Sequence, residues 1–309
     1  MTIPRKNLVR ALTGLSLSVL LLGAPLGYAA DGVKPCRAGD TAATCRHSKG
    51  LLWKIERNGR PASHLFGTIH ISDPRVTNLP RPIREAFDAA RSFAMELILD
   101  GAGFVHMAET MFFDDGRTLE GTVGTGRYKE IQKLLTDRGL PVSDLNRKKP
   151  WVVVMTLSGP GQGGLFLDMQ LQVNATLQEK PTRGLETMQE QLAVFDGLSI
   201  EDQVSMLDYS LRYHREMDKL LETMVQAYLA RDLHRIMAIM DSAAMSDRRL
   251  QDTLMARLLT QRNLRMVDRM RPQLEEGNAF IAVGAAHLPG ADGLLVLLER
   301  AGWRVTPVY

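Results

Sequence analysis

The sequence predicts an α/β protein: a central mixed β-sheet with flanking helices and a large helical insertion, in a single domain. Two observations carry this prediction. Short apolar runs of strand length, bounded by Gly, Pro or Asn-Gly, alternate with segments of helical periodicity over much of the chain. The stretch 199–274 instead carries Met and Leu at helical spacing with almost no Gly or Pro, which indicates helices alone.

The N-terminus has the pattern of a secretory signal peptide over residues 1–29. A basic start precedes an apolar run at 15–22, and Gly27 and Ala29 supply the small residues of a cleavage site. A membrane anchor is the alternative, but the apolar run falls short of the ~20 residues that span a bilayer. We expect an exported protein, periplasmic or extracellular, with no membrane span after the leader is removed.

The charge balance gives no indication of a nucleic-acid or anionic-membrane partner, and we expect no nucleic-acid partner. The chain has 38 Lys and Arg against 35 Asp and Glu, a net charge of +3. Three basic residues in the predicted leader account for this excess, so the remainder is balanced.

Residues 30–50 form an N-terminal segment that contains both cysteines, Cys36 and Cys45. In an oxidising compartment this pair predicts one local disulfide that closes a small loop. Two cysteines alone are a poor basis for a metal site.

The domain itself is expected over 51–309. Apolar runs at 51–56 and 64–67 flank Asn58-Gly59, which predicts a β-hairpin. The run 151–155 fits either a buried strand or the start of an apolar helix, because periodicity does not separate the two. The remaining predicted elements are helices at 83–91, 127–138 and 168–180, strands at 92–99 and 182–186 (the latter a strand or a turn), three or four helices over 199–274, a strand at 278–283, a helix at 291–301 and a closing strand at 303–308.

One pattern recurs at opposite ends of the chain. Gly67-Thr68-Ile69-His70 and Gly284-Ala285-Ala286-His287 each follow an apolar strand and end on a histidine. The carboxyl ends of strands are where ligands and catalytic groups collect in α/β proteins. Glycine permits a sharp turn and close backbone approach there. The repeated motif therefore indicates a shared site.

Glu96 is the third candidate, since it lies within the apolar run 92–99. A buried carboxylate needs a partner or a metal ion. His70, Glu96 and His287 together would supply three N/O ligands and leave positions open, as catalytic metal sites do. Taken singly, each has a simpler interpretation: a structural histidine, or a buried glutamate paired with an arginine.

Five blocks of the sequence resemble the TraB/GumN group of proteins, which includes the Tiki proteases, and the central block resembles its GumN-type bacterial exported branch. The resemblance covers roughly 51–309. The blocks, in chain order, are Leu65-Phe66-Gly67-Thr68-Ile69-His70, the segment around Glu96, Gly184-Leu185-Glu186-Thr187-Met188-Gln189-Glu190-Gln191, Arg262-Asn263, and Val283-Gly284-Ala285-Ala286-His287-Leu288-Pro289-Gly290.

The resemblance implies an α/β core with a helical insertion and an active site that uses His70, Glu96, Arg262 and His287. It implies a metal-dependent hydrolase, most simply a peptidase acting on a peptide or protein. Arg262 would pair with Glu96, or stabilise a developing oxyanion or a substrate carboxylate. A solvated helix arginine is the alternative. Glu186 is a further candidate, as a general base or a helix cap.

The metal and the function each keep alternatives. Mixed N/O ligation suits zinc, manganese, cobalt or iron, and the zinc signature His-Glu-x-x-His is absent from the sequence. A haem- or tetrapyrrole-binding protein is the second interpretation, because histidine and abundant methionine can ligate iron. A non-catalytic accessory to envelope or polysaccharide assembly is the third.

Overall fold

The structure is a computed structural model that describes residues 47–98, 100–159, 164–242, 245 and 247–309. The predicted leader, Cys36 and Cys45 lie outside the described residues. Within those ranges, no helix combines the length and the apolar character needed to cross a bilayer.

A mixed β-sheet lies at the centre of the described residues, as predicted. Its strands stand side by side in the order β4-β3-β5-β2-β1-β6. The strands are β1 (Leu52–Glu56), β2 (Ser63–Thr68), β3 (Ser92–Leu97), β4 (Thr182–Glu186), β5 (Ala279–Gly284) and β6 (Arg304–Pro307).

The first two strands form the predicted hairpin. They pair antiparallel with Trp53 opposite Leu65, and the connection passes through Gly59 at a φ of 78°. A positive φ is costly for residues with a Cβ, which explains the glycine after Asn58. The last strand, β6, pairs antiparallel with β1 on the side away from β2 and forms one edge of the sheet.

The other neighbouring pairs are parallel. Thr68 of β2 pairs with Gly284 of β5, and Leu97 of β3 pairs with Glu186 of β4; β3 also lies parallel to β5. The carboxyl ends of β2, β3, β4 and β5 therefore meet at one edge of the sheet. Both Gly-x-x-His motifs leave the sheet at this edge.

Helices pack against several strands of the sheet and fill the long stretch before β5. In the described residues they are α1 (Pro74–Thr77), α2 (Arg81–Ala89), α3 (Gly101–Thr110), α4 (Leu119–Val123), α5 (Thr125–Asp137), α6 (Pro150–Ser158), α7 (Leu167–Leu177), α8 (Met188–Asp196), α9 (Ile200–Tyr213), α10 (Met217–Leu229), α11 (Leu233–Ser242), α12 (Arg248–Met255), α13 (Gln261–Glu276) and α14 (Leu294–Arg300).

The ambiguous run 151–155 is helical and belongs to α6. Pro150 occupies the first turn of α6, where a missing N–H does no harm. Nearly every side chain of α6 is buried. An all-round apolar helix has no polar face to mark its period, which is why the sequence pattern did not separate helix from strand.

The stretch 199–274 holds five described α-helices, α9 to α13, with a π-helical turn at Ala256–Thr260 between α12 and α13. The expectation of three or four helices was therefore too low. Arg231 takes a left-handed φ of 56° between α10 and α11, and Asp247 caps α12 by accepting a hydrogen bond from the Leu250 N–H. Such short breaks leave the apolar periodicity almost uninterrupted.

The core lies between the sheet and these helices. Trp53, Phe66 and Phe280 are fully buried, and Phe87, Phe93 and Phe280 pack ring against ring. Helix α11 packs on the turn that follows β5. The carboxyl edge of the sheet is thus covered by the helical stretch.

Candidate active site

Four parallel strands deliver one candidate side chain each to the same edge of the sheet. His70 follows the end of β2 by two residues, Glu96 is the next-to-last residue of β3, and Glu186 ends β4. His287 closes the 3₁₀ turn Ala285–His287 directly after β5. The edge therefore gathers residues from widely separated parts of the chain.

The glycines of the two Gly-x-x-His motifs are explained by close approach. A Cβ on Gly67 would come within 2.7 Å of Leu288 Cδ1 and 3.1 Å of Ala285 Cα, so the first motif touches the second. A Cβ on Gly284 would lie 3.2 Å from Glu96 Oε1. Neither glycine has a positive φ, so the expected role in a sharp turn is replaced here by tight packing.

His70 is held by a buried aspartate. Its Nδ1 lies 2.8 Å from Asp168 Oδ2, and the other oxygen of Asp168 accepts a hydrogen bond of 2.6 Å from the Thr68 hydroxyl. Asp168 is 2% exposed. Because the carboxylate is an acceptor, His70 donates through Nδ1, and Nε2 remains for another partner.

His287 is held in the same way by an amide. Its Nδ1 lies 2.6 Å from Asn263 Oδ1, and the Asn263 side-chain NH₂ donates to the Asp292 carbonyl at 2.8 Å. This second bond fixes which end of the amide faces the imidazole, so His287 donates through Nδ1. His287 Nε2 is buried with no hydrogen-bond partner among the described residues.

Glu96 lies between the two histidine motifs. Its Oε1 accepts a hydrogen bond of 2.6 Å from the Gly284 N–H and lies 3.5 Å from His287 Nε2. Its Oε2 accepts 2.6 Å from Arg262. Burial alone would raise the pKa of Glu96, but the charge of Arg262 and the smaller contributions of His287 and His70 hold that pKa well below its usual range. The side chain is a carboxylate.

Arg262 pairs with two carboxylates at once, and it is 1% exposed. Besides Glu96 it donates to Glu186 Oε2, at 2.8 Å from Nε and 2.6 Å from Nη2, and to the Leu258 carbonyl at 3.3 Å. Of the roles that the sequence suggested for Arg262, the structure shows the pairing with Glu96. Glu186 belongs to the same ion network, and Thr187 caps the helix α8 that follows it.

His70, Glu96 and His287 line one pocket at this edge. Arg262 lies behind Glu96 and is not among the residues that form the pocket wall. Among the described residues, no three His, Cys, Asp or Glu side chains are already arranged to hold a metal ion. The sequence thus brings the three predicted ligands to a common cavity, and their role as ligands stays a prediction.

The two histidines carry different charges in this arrangement. Burial disfavours a charged His70, but the carboxylate of Asp168, its hydrogen bond and Glu96 outweigh that and raise the pKa of His70 to about 9. The pKa of His287 is lowered to about 3, chiefly by burial. The charges of Arg262 and His70 also lower it, and the Glu96 carboxylate raises it by less than these effects together. Near neutral pH, His70 is an imidazolium and His287 is neutral.

Sequence reasoning did not find the residues that hold the histidines. Asp168 lies 98 positions from His70, within a segment that shows only helical periodicity. Asn263 adjoins Arg262 in one of the blocks that resemble the TraB/GumN group, and that adjacency was the available signal. Gln191 was missed too, and it donates to both Glu96 and Glu186.

Comparison with known proteins assigns the family. The model of the TraB/PrgY/gumN family matches residues 51–307. This chain belongs to the TraB/PrgY/gumN family. The assignment agrees with the resemblance seen in the sequence, and the match takes in His70, Glu96, Arg262 and His287.

Several curated relatives of this TraB/PrgY/gumN chain are named metalloproteases. Metalloprotease TIKI2 of Danio rerio is 24% identical over 336 residues, covering 91% of this chain and 65% of the relative. Metalloprotease TIKI homolog of Nematostella vectensis is 23% identical, with 94% and 74% covered. Metalloprotease TIKI1 of Homo sapiens is 25% identical, with 82% and 61% covered. The expectation of a hydrolase agrees with these names.

This chain spans 65% of the length of TIKI2 of Danio rerio. It spans 65% of TIKI1 and 59% of TIKI2 of Xenopus tropicalis. No solved structure matches it. At the level of the family, the name metalloprotease implies a divalent metal in these relatives.

Proposed function

We propose that this chain is a metal-dependent peptidase in which His70, Glu96 and His287 hold a divalent cation. One observation carries the proposal: the two histidines are fixed through Nδ1 by Asp168 and Asn263, at 2.8 Å and 2.6 Å. An oxygen acceptor on one ring nitrogen is how proteins orient a metal-binding imidazole and direct the other nitrogen to the ion.

The donor set fits a divalent ion. His287 Nε2 is buried without a hydrogen-bond partner in the described part of the chain, and a buried lone pair of this kind is costly unless something binds it. Glu96 is ionised and lies 3.5 Å from that nitrogen. Zinc, manganese, cobalt and iron all accept such mixed N/O ligation.

A bound ion would polarise a substrate carbonyl and lower the pKa of water. The protein supplies orientation and charge. Arg262 keeps Glu96 ionised and fixes its orientation. Asp168 and Asn263 fix the orientations of the His70 and His287 imidazoles. For its Nε2 to act as a ligand, His70 would give up the proton on that nitrogen to solvent, since a ligand must offer a lone pair.

The similarity to the Tiki metalloproteases supports a peptide or protein as the substrate. The leader-like residues 1–29 support export to the periplasm or the cell exterior, as expected for the GumN-type bacterial branch. Both assignments belong to this proposal.

Metal binding is the experiment that tests it. The purified protein would be dialysed against manganese, cobalt, zinc or iron(II), and bound metal would be measured by elemental analysis. We expect about one ion per chain in the parent and none in the His70→Ala/His287→Ala variant, whose fold is checked by circular dichroism. Cleavage of a mixed peptide library, followed by mass spectrometry, should depend on the same ion.

His106→Ala is the matched control, because His106 lies on α3 and bonds within its own helix to Thr110. This variant should bind metal as the parent does. A folded parent that takes up none of the four ions would overturn the metal assignment and favour a non-catalytic accessory. Cleavage that survives the double variant would overturn the catalytic assignment.

A further inference from the structure

The pocket beside His70, Glu96 and His287 has a second wall that the proposed chemistry does not use. Helices α10 and α11 form it, with Met224 and Tyr228 from α10 and Ile236 and Met240 from α11. The cavity has a volume of about 60 Å³, which is well above the ~10–15 Å³ that a single water molecule needs. We call this wall, together with Ile69, the Met224–Met240 slot.

The polar atoms near the slot are already occupied. The Tyr228 hydroxyl donates to the Gly67 carbonyl at 2.9 Å, so the tyrosine presents its ring to the cavity. The Thr68 hydroxyl donates to Asp168. Among the side chains that line the cavity, the polar groups left for an occupant are therefore the Nε2 atoms of His70 and His287, beside the Glu96 carboxylate.

This separation of apolar and polar groups determines what kind of side chain the slot can bind. A charged side chain in the slot would lose its hydration without gaining a partner, which is costly. An aliphatic side chain would gain by leaving water. Methionine side chains are unbranched and adaptable, so Met224 and Met240 can adjust to aliphatic groups of different shape.

We infer that the Met224–Met240 slot binds the aliphatic side chain of the substrate residue that flanks the scissile bond. The class of substrate is thus a peptide with a leucine- or methionine-sized residue at that position. The inference rests on the proposed function, because the slot and the His70, Glu96 and His287 groups share one cavity. A side chain in the slot brings its own backbone carbonyl next to those groups.

Binding can be tested without catalysis. The protein would be labelled with ¹³C at the methionine methyl groups, and the signals of Met224 and Met240 assigned with the Met224→Leu and Met240→Leu variants. N-acetyl-leucine amide should shift these two signals, and N-acetyl-aspartate amide should not. The signal of Met206, buried in α9, is the internal reference. Equal shifts with both probes, or none with the leucine probe, would overturn the inference.

Filling the slot gives an independent readout. Met240→Phe should weaken binding of N-acetyl-leucine amide by at least about 10-fold, as expected when room for one or more methylenes is removed. Met237→Phe is the matched control: Met237 lies on the same helix, is partly buried and does not line the cavity. It should leave binding unchanged, and equal effects of the two variants would overturn the slot.

The two proposals fail differently. If the protein binds no metal but the leucine amide shifts Met224 and Met240, binding of an aliphatic side chain in the slot stands, while the peptidase and the link to a scissile bond do not. If metal binds and peptides are cleaved with no preference for aliphatic residues next to the cleaved bond, the peptidase holds and the slot does not.

Discussion

The guanidinium of Arg262 lies between Glu96 and Glu186 and bonds to each at 2.6 Å. All three side chains are at most 9% exposed, so one cation compensates two buried anions. Arg265 adds a second cation from the rim, at 3.2 Å from Glu186. The charge state of the candidate site therefore depends on a residue that does not reach the pocket.

Replacing Arg262 by methionine should destabilise the protein by about 3–5 kcal/mol, because two buried carboxylates lose their cation. The measurement is the free energy of unfolding in urea. Arg265→Met is the control: its side chain is 37% exposed, and its loss should cost under about 1 kcal/mol. Adding Glu186→Gln to Arg262→Met should recover part of the loss. Similar costs for both arginines would contradict this account.

Asn263→Leu should lower the affinity for the divalent ion by about 10–100-fold, because His287 loses the acceptor that orients it. Equilibrium dialysis with manganese or zinc measures this directly. Asn263→Asp keeps an oxygen opposite Nδ1 and should restore much of the affinity, which a purely structural role would not predict. Asn174→Ala, on the exposed side of α7, should leave the affinity unchanged. An unaltered affinity in Asn263→Leu would remove Asn263 from the site.

Gly67→Ala should cost about 1–3 kcal/mol, the usual penalty of overpacking. The added Cβ would meet Leu288 at 2.7 Å and the backbone of Ala285 at 3.1 Å, which forces the two histidine motifs apart. Gly126→Ala in α5 is the contrast, since nothing lies within 4 Å of its added Cβ; it should stabilise by about 0.4–1 kcal/mol. Thermal unfolding of both variants distinguishes them, and a loss in Gly126→Ala alone would refute the packing argument.

Glu190→Gln should make the free energy of unfolding less dependent on pH between about 2 and 4.5. Hydrogen bonds from Arg269, with the Thr187 N–H, lower the pKa of Glu190 from its ordinary 4.5 to about 2. A lowered folded pKa stabilises the protein above pH 4.5, and this contribution is lost as the pH falls towards 2. The variant should therefore be less stable than the parent at pH 7, by an amount that shrinks between pH 4.5 and 2.

Urea unfolding from pH 2 to 7 measures the difference. Glu130→Gln, at an exposed position of α5, is the control and should show a smaller difference at every pH. A gap between Glu190→Gln and the parent that stays constant with pH would contradict the assigned shift.

Local signals account for what the sequence predicted well. The hairpin around Gly59 and the strands that end near His70 and His287 have clear boundaries of glycine and apolar residues. Glu96 was conspicuous because a carboxylate interrupts an apolar run. The common edge followed from parallel pairing, which brings the ends of β2, β3 and β5 together.

Long-range pairing accounts for what was missed. Asp168 and His70 are 98 positions apart, and nothing in a helical pattern distinguishes an aspartate that faces a histidine from one that faces water. The extra helix breaks in 199–274 were missed because Arg231 supplies a left-handed residue without glycine. Such positions depend on tertiary contacts that a single sequence does not display.

The register between β2 and β5 has one further consequence. Thr68 lies opposite Gly284, so both histidine motifs leave the sheet at the same level. Side chains alternate between faces, and a slip of one residue would send each motif to the wrong side and the wrong height. Strand alignment and assembly of the site are therefore a single event during folding. Any molecule in which His70 and His287 share the pocket has necessarily paired its strands correctly.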